Sequence, residues 1–229
     1  MLGMLLRSVL PQHHLSDDSK DVMKLGMALV ATMSALVLGL LITSAKSSYD
    51  EQNEELRDVS VKTILLDRTL AHYGLETKEM REMIRAAVIR ALDRLWSADH
   101  GFTPDRSPED ILFDKIQTLS PQDDSQRTLK SQALSLTSDV ARIRWLQYEE
   151  VNRSITPPVL FVLISWLATL FIGFGLLARP NGTVITSLAI SALSVSSAIF
   201  LILELFSPYT GLIKVSSAPF RAALLQLGK

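Results

Sequence analysis

Cysteine is absent from the 229 residues. That removes disulfide frameworks, zinc ribbons, thiol nucleophiles and thiol redox relays together. Histidine is scarce, with four residues at 13, 14, 72 and 100, which leaves little material for a multi-histidine metal site. There is no excess of either charge: 23 basic against 24 acidic side chains give a net charge of −1. Without a basic stripe, nucleic acid is not expected as the main partner. Strand-like alternation, internal repeats and low-complexity tracts are missing. So are a Walker loop, an H-E-x-x-H helix and a G-x-S-x-G elbow. The chain is therefore expected not to be an enzyme, and no cofactor or metal is expected in it.

The charges that are present are unevenly placed. All but 11 of them lie between Ser44 and Thr156, so the two halves of this composition are built for two solvents. Leu25 to Ala45, Pro157 to Ala178 and Pro180 to Leu203 contain, apart from the residues that bound them, only uncharged and mostly apolar side chains. Each run is about 20 residues or slightly longer, which at helical rise matches a hydrocarbon layer of roughly 30 Å. With no water to satisfy the backbone there, helices are the expected spanning form. The fold class expected is an all-α integral membrane protein: one N-terminal transmembrane helix, a helical extramembrane domain and a C-terminal transmembrane hairpin. The expected boundaries are 1–21 for a short interfacial segment, 22–45 for the first span and 46–156 for the extramembrane domain. Residues 157–178 and 180–206 form the second and third spans, and 207–229 a tail with a short amphipathic helix.

Local signals place helices inside the polar block. Leu56, Val59, Thr63, Leu66, Leu70 and Tyr73 recur at steps of three and four, a heptad-like stripe continuing outward from the first span. Gly74 ends it. A second helix is expected from Thr77, with Met80, Ile84, Ala87, Val88, Ala91 and Leu95 on one face. Ser107-Pro108-Glu109-Asp110 combines a capping serine, proline at the first helical position and acids in the first turn. Ser120-Pro121-Gln122-Asp123 repeats the signal, before a helix carrying Leu129, Ala133, Leu136, Val140 and Ile143. Arg179-Pro180-Asn181-Gly182 reads as the turn of the hairpin. In the tail, Ser217-Ala218-Pro219 starts a helix with Phe220, Ala223, Leu224 and Leu227 on one face. Lys and Arg near the span ends are more numerous on the side of the polar block, which the positive-inside rule places in the cytoplasm.

Candidate sites are few, and each has a simpler structural reading. Gly173-Phe174-Gly175-Leu176-Leu177-Ala178 matches G-x-G-x-x-A. The dinucleotide chemistry needs a strand before it, and here it closes a membrane span, so close helix packing is the expected role. His13, His14, Asp17, Asp18 and Asp21 group metal-capable side chains. The same acids simply favour the start of the helix leading into the membrane, with Ser16 as its cap. Glu204 is the one acid adjoining a span, and an ionisable group at membrane depth is a functional candidate by default. Thr183, Ser187, Ser191 and Ser194 form a hydroxyl stripe on the third span, with Ser197 nearer to Glu204. The stripe suits a hydrated pathway or close packing between helices. Asp67, Arg68 and His72 resemble a catalytic cluster. Beside the core positions Leu66 and Leu70, however, they are expected on the solvated side, in an ion-pair network between helices or subunits.

Several stretches then resemble a known family. Leu65-Leu66-Asp67-Arg68, His72-Tyr73-Gly74 and Glu76-Thr77-Lys78 are similar to the polar segment of bacterial bestrophin-like domain membrane proteins. Ala198-Ile199-Phe200-Leu201-Ile202-Leu203-Glu204, Pro208, Gly211-Leu212-Ile213, Val215-Ser216-Ser217 and Pro219 resemble its C-terminal motif. Leu15-Ser16-Asp17-Asp18-Ser19-Lys20-Asp21 is also similar. Kinship with bestrophins, which are oligomeric anion channels, implies a homo-oligomer in the bilayer of a bacterial inner membrane and a small ion as cargo. No dense acidic calcium cluster of the bestrophin kind is apparent. The alternative is a non-conducting, membrane-anchored scaffold that acts through its helical extramembrane domain.

Overall fold

A computed structural model describes residues 17–96, 108–151, 157–178, 181–206, 209 and 211–228. All regular structure among them is helical: α1 (Asp17–Tyr73), a 3-10 turn (Leu75–Thr77), α2 (Lys78–Trp96), α3 (Pro108–Gln117), α4 (Asp124–Val151), α5 (Pro157–Leu177), α6 (Gly182–Leu205) and α7 (Ala218–Gln226). The chain divides into two compact units. One comprises Met1–Ser48 and Ser154–Phe206, the other Tyr49–Arg153 and Ser207–Lys229. Met1 to Ser16, with His13, His14 and the Ser16 cap, lies outside the described residues, while residues 17–21 of the expected 1–21 interfacial segment open α1. Arg179 and Pro180 of the expected hairpin turn lie outside the described residues as well.

The first unit contains α5, α6 and the early part of α1. Each of these three helices is long and apolar enough to cross a membrane. In α1 the opening turns carry Asp17–Lys20 and Asp21–Lys24 pairs, both at 2.8 Å, and the uncharged run follows. In the most apolar window of α1 only 6% of residues are buried, against 22% in α5 and 17% in α6. Apolar surface this extensive and contiguous is not stable in water. Hydroxyls along these helices bond to their own backbone three or four residues back. Thr32 donates to Ala28, Thr43 to Gly39, Thr169 to Ser165, Thr186 to Gly182 and Ser194 to Ile190. A polar side chain is thereby satisfied without a partner helix.

Gly173 and Gly175 sit in the last turns of α5, both buried. A Cβ on Gly173 would lie 2.6 Å from Met27 Sδ of α1. The G-x-G-x-x-A match is thus inside a helix, and its first glycine makes room for a methionine. Helix α6 starts at Gly182, two residues after the expected boundary, because the Asn181 side chain caps it by accepting from Val184 N at 2.8 Å.

The second unit is organised on the far part of α1. Leu56, Leu66, Leu70 and Tyr73 share a buried cluster with Met80, Ile84 and Val88 of α2, Leu112 and Ile116 of α3, Ala133 of α4, and Phe220 and Leu227 at α7. The heptad-like stripe therefore faces the core. Gly74 ends α1 at φ +147°, a backbone conformation suited to glycine. Thr77 Oγ1 donates to the carbonyls of Leu70 and Gly74 at 2.5 and 2.8 Å, which turns the chain into α2. That helix begins at Lys78, one residue past the expected Thr77.

Helix α4 begins at Asp124 and not at the Ser120-Pro121 signal. The Asp123 carboxylate accepts from Gln126 N at 2.7 Å, and Gln126 Oε1 accepts from Gln122 N at 2.8 Å. These two side-chain caps together outcompete the earlier signal. Lys130 Nζ donates to the Gln117 and Leu119 carbonyls, satisfying groups that the end of α3 would otherwise leave open. Ion pairs link the helices further: Lys115 with Glu79 at 2.6 Å, Lys62 with Asp139 at 3.4 Å, and Arg144 with Glu109.

Tyr73 illustrates how the core treats a polar atom. Its hydroxyl is buried and makes no hydrogen bond with the described residues. Burial first, then the nearby charges of Glu76 and Asp123, push its pKa above the ordinary tyrosine value. A folded-state pKa raised in this way leaves stability intact below about pH 10, the ordinary tyrosine value, and removes it as pH rises through the folded value. At neutral pH, Tyr73→Phe is expected to change stability by less than about 1 kcal/mol, since no bond is lost. Thermal melts of solubilised protein between pH 9 and 11 are expected to fall less steeply in the variant than in the parent. A variant melt that falls as steeply as the parent's removes Tyr73 as a source of the alkaline loss.

Candidate functional site

Helix α6 carries the hydroxyl residues. Ser187, Ser191 and Ser194, at steps of four and three, share one face, and all three are exposed in the single chain. Val184, Leu188, Ala192, Val195 and Ile199 are partly buried, so the helix turns its aliphatic side inward and the exposed hydroxyl stripe runs along the edge of that side. Thr183 and Thr186 line the same shallow groove as Ser187, Ile190 and Ser191.

Ser197 continues the stripe as it drifts round the helix. At 100° per residue it falls about 60° from Ser194, the same step that separates Ser194 from Ser191, and Glu204, seven residues on, lies close to its angular position. Ser197 is exposed and donates to the Leu193 carbonyl at 2.9 Å. Glu204 is buried in the last turn together with Ile202 and Leu205. The five candidate residues of α6 are thus divided by burial: four exposed serines, and an acid buried where the apolar helix ends.

The polar candidates divide too. Asp67 was expected on the solvated side and is instead 2% exposed. Ser60, Thr63, Asp67 and Leu70 repeat the same steps of three and four as the Leu56 stripe, so the buried face of α1 is wider than one heptad seam. The partner of Asp67 is Arg81 of α2, whose Nε and Nη2 donate to the two carboxylate oxygens at 2.8 and 2.9 Å. That two-pronged geometry is the strong form of an ion pair. The hydrogen bond to Asp67 raises the Arg81 pKa above its ordinary value. The Gly228 N–H also donates to Asp67 Oδ2, at 3.2 Å. Arg68 and His72 are both exposed.

Arg81 was not singled out by sequence reasoning, although a signal for it exists. Asp67 and Arg81 each stand seven residues from Gly74, and in a helical hairpin residues equidistant from the turn face each other. Among the described residues no group of three or more His, Asp or Glu side chains is arranged to hold a metal. Asp17 and Asp21 are each paired with a lysine one turn on.

A family model described as the Bestrophin-like domain matches residues 1–220. Among solved structures, the chain is similar to a bacterial bestrophin homologue from Klebsiella pneumoniae carrying a point substitution. The TM-score is 0.70 at 14% identity, covering 99% of this chain and 95% of that one. At that identity the likeness shows the fold alone. No curated protein matches the sequence.

Proposed function

Because the chain belongs to the Bestrophin-like domain family, we propose that it is a homo-oligomeric membrane protein that conducts small ions. In this reading residues 22–45, 157–178 and 180–206 cross the bilayer of a bacterial inner membrane, the last two as a hairpin. Residues 46–156 and the 207–229 tail stand on the cytoplasmic side. The observation that carries the reading is the exposed Ser187–Ser191–Ser194 face on an otherwise apolar helix. Bilayer lipid gives hydroxyls no partner beyond their own backbone, to which Ser194 already donates, whereas a second copy or a hydrated pathway offers further ones. Glu204, at the end of that helix, supplies the ionisable group closest to such a pathway.

The scaffold alternative rests on the stripe from Leu56 to Tyr73 and on the lack of a catalytic constellation. That stripe is buried in the unit's own core, which takes away the first of these supports and favours conduction.

The test is the conductance of purified protein in planar bilayers with asymmetric chloride salts. Reproducible currents are expected, with the reversal potential reporting the permeant ion, and Glu204→Gln is expected to change conductance or selectivity. Silence from protein shown to be folded and oligomeric overturns conduction and returns the scaffold reading. Currents that Glu204→Gln leaves unaltered take Glu204 out of the pathway.

A further inference from the structure

We propose that α7 is a strap that opens and closes over the extramembrane unit, with the Asp67 carboxylate as its catch. The proposal stands apart from ion conduction. At nine residues α7 is too short to hold a helix by itself in water, so its folding and its docking are one event. It docks by a narrow stripe, with Phe220, Ala223 and Leu227 buried while Arg221, Ala222 and Leu225 are exposed.

The base of the strap is pinned. Val215 is 1% exposed, and Tyr49 Oη of α1 donates to the Lys214 carbonyl at 3.3 Å. Between that pin and the helix lie only Ser216 and Ser217, where Ser216 Oγ accepts from Ala218 N at 3.2 Å. These two serines are the hinge. Beyond the helix, Leu227 N closes the last turn on the Ala223 carbonyl at 3.0 Å. Gly228, at φ +86°, then turns its N–H onto Asp67. That carboxylate is already held by Arg81 from α2, so the catch is preformed on the α1–α2 hairpin and does not depend on the strap.

Opening the strap gives up three buried side chains and one charge-assisted hydrogen bond. Phe220 and Leu227 leave the shared cluster when the strap opens, whereas α1 and α2, which contribute seven of that cluster's members, stay in place. Elements with few buried contacts open locally, below the cost of global unfolding. The unit accordingly has two forms, strap docked and strap released, that share an intact α1–α4 core.

Hydrogen–deuterium exchange of the full chain in lipid nanodiscs tests this. In the parent protein, amides of residues 220–228 are expected to exchange at least tenfold faster than those of α2 around Ile84. Gly228→Pro removes the donor to Asp67 and, since proline cannot adopt φ near +86°, the turn that aims it. It is expected to speed exchange in 220–227 about tenfold more, with α2 and α4 within twofold of the parent. Asp67→Asn, which disturbs Arg81 as well, is expected to speed exchange in both α7 and the start of α2. Equal protection of α7 and α2 in the parent overturns the strap. A Gly228→Pro protein with α7 unchanged overturns the catch. One in which α2 and α4 lose protection together with α7 makes α7 part of the core and overturns both.

Discussion

Asp67→Ala is expected to destabilise the extramembrane unit by about 3 kcal/mol, and by up to about 5. The carboxylate is 2% exposed and holds both Arg81 nitrogens and the Gly228 N–H. Removing it leaves a guanidinium that is about four-fifths buried without its counter-charge, along with a backbone donor that has lost its acceptor. The fifth of Arg81 that water reaches favours the lower end of that range. Arg68→Ala and His72→Ala serve as matched controls. Both side chains are exposed, and substitutions of this kind ordinarily stay within about 0.5 kcal/mol. The double replacement Asp67→Leu with Arg81→Met is expected to recover most of the loss, since it removes both charges from the interior. Denaturant titrations of solubilised protein, followed by tryptophan fluorescence, read all four variants. Equal midpoints for Asp67→Ala and Arg68→Ala would show that the pair contributes nothing.

In the proposed homo-oligomer, the triple substitution Ser187→Leu, Ser191→Leu and Ser194→Leu is expected to shift assembly toward the monomer. Lipid tails are as apolar as leucine, so helices in a bilayer associate through close approach and hydrogen bonds. Interhelical hydroxyl bonds average about 0.6 kcal/mol each. Ser194 already donates to the Ile190 carbonyl of its own helix, so losing the bonds open to Ser187 and Ser191 weakens association by about eightfold before the added bulk is counted. Ser196→Leu makes the same chemical change on another exposed face of α6 and is expected to leave assembly intact. Native mass spectrometry from nanodiscs gives the stoichiometry directly. A triple variant that assembles like the parent removes this face from the subunit contact, and its bilayer currents then decide whether the face lines the pathway instead.

The two predictions draw on different kinds of legibility. The apolar runs, the Leu56–Tyr73 stripe, the core face of α2 and the Phe220–Ala223–Leu227 face of α7 are all periodic patterns within one segment. Helical repeat and bilayer thickness convert such patterns into structure without reference to the rest of the chain. Gly74 is also legible, because a helix that must turn sharply needs a residue free of Cβ strain. The start of α4 was misplaced by a competition between two local signals. Ser120-Pro121 has the right residue types, but Asp123 and Gln126 satisfy two backbone donors together, and the pair wins over the single cap.

Asp67 marks the limit of that kind of reasoning. One residue from Leu66 on a helix, it was assigned to solvent because a heptad seam is narrow. Packing by several neighbouring elements widened the seam and buried the acid against Arg81, fourteen residues away. The Ser187 stripe is similar: its existence is written in the spacing, whereas its outward direction depends on which side of α6 the other helices cover. What the sequence determined by itself was therefore the helical class, the apolar spans and most of the faces, since each is an interaction between residues a turn or two apart. Only the tertiary structure decided which charges meet, where the strap is caught and which way the hydroxyls point, because those contacts join residues that local periodicity never compares.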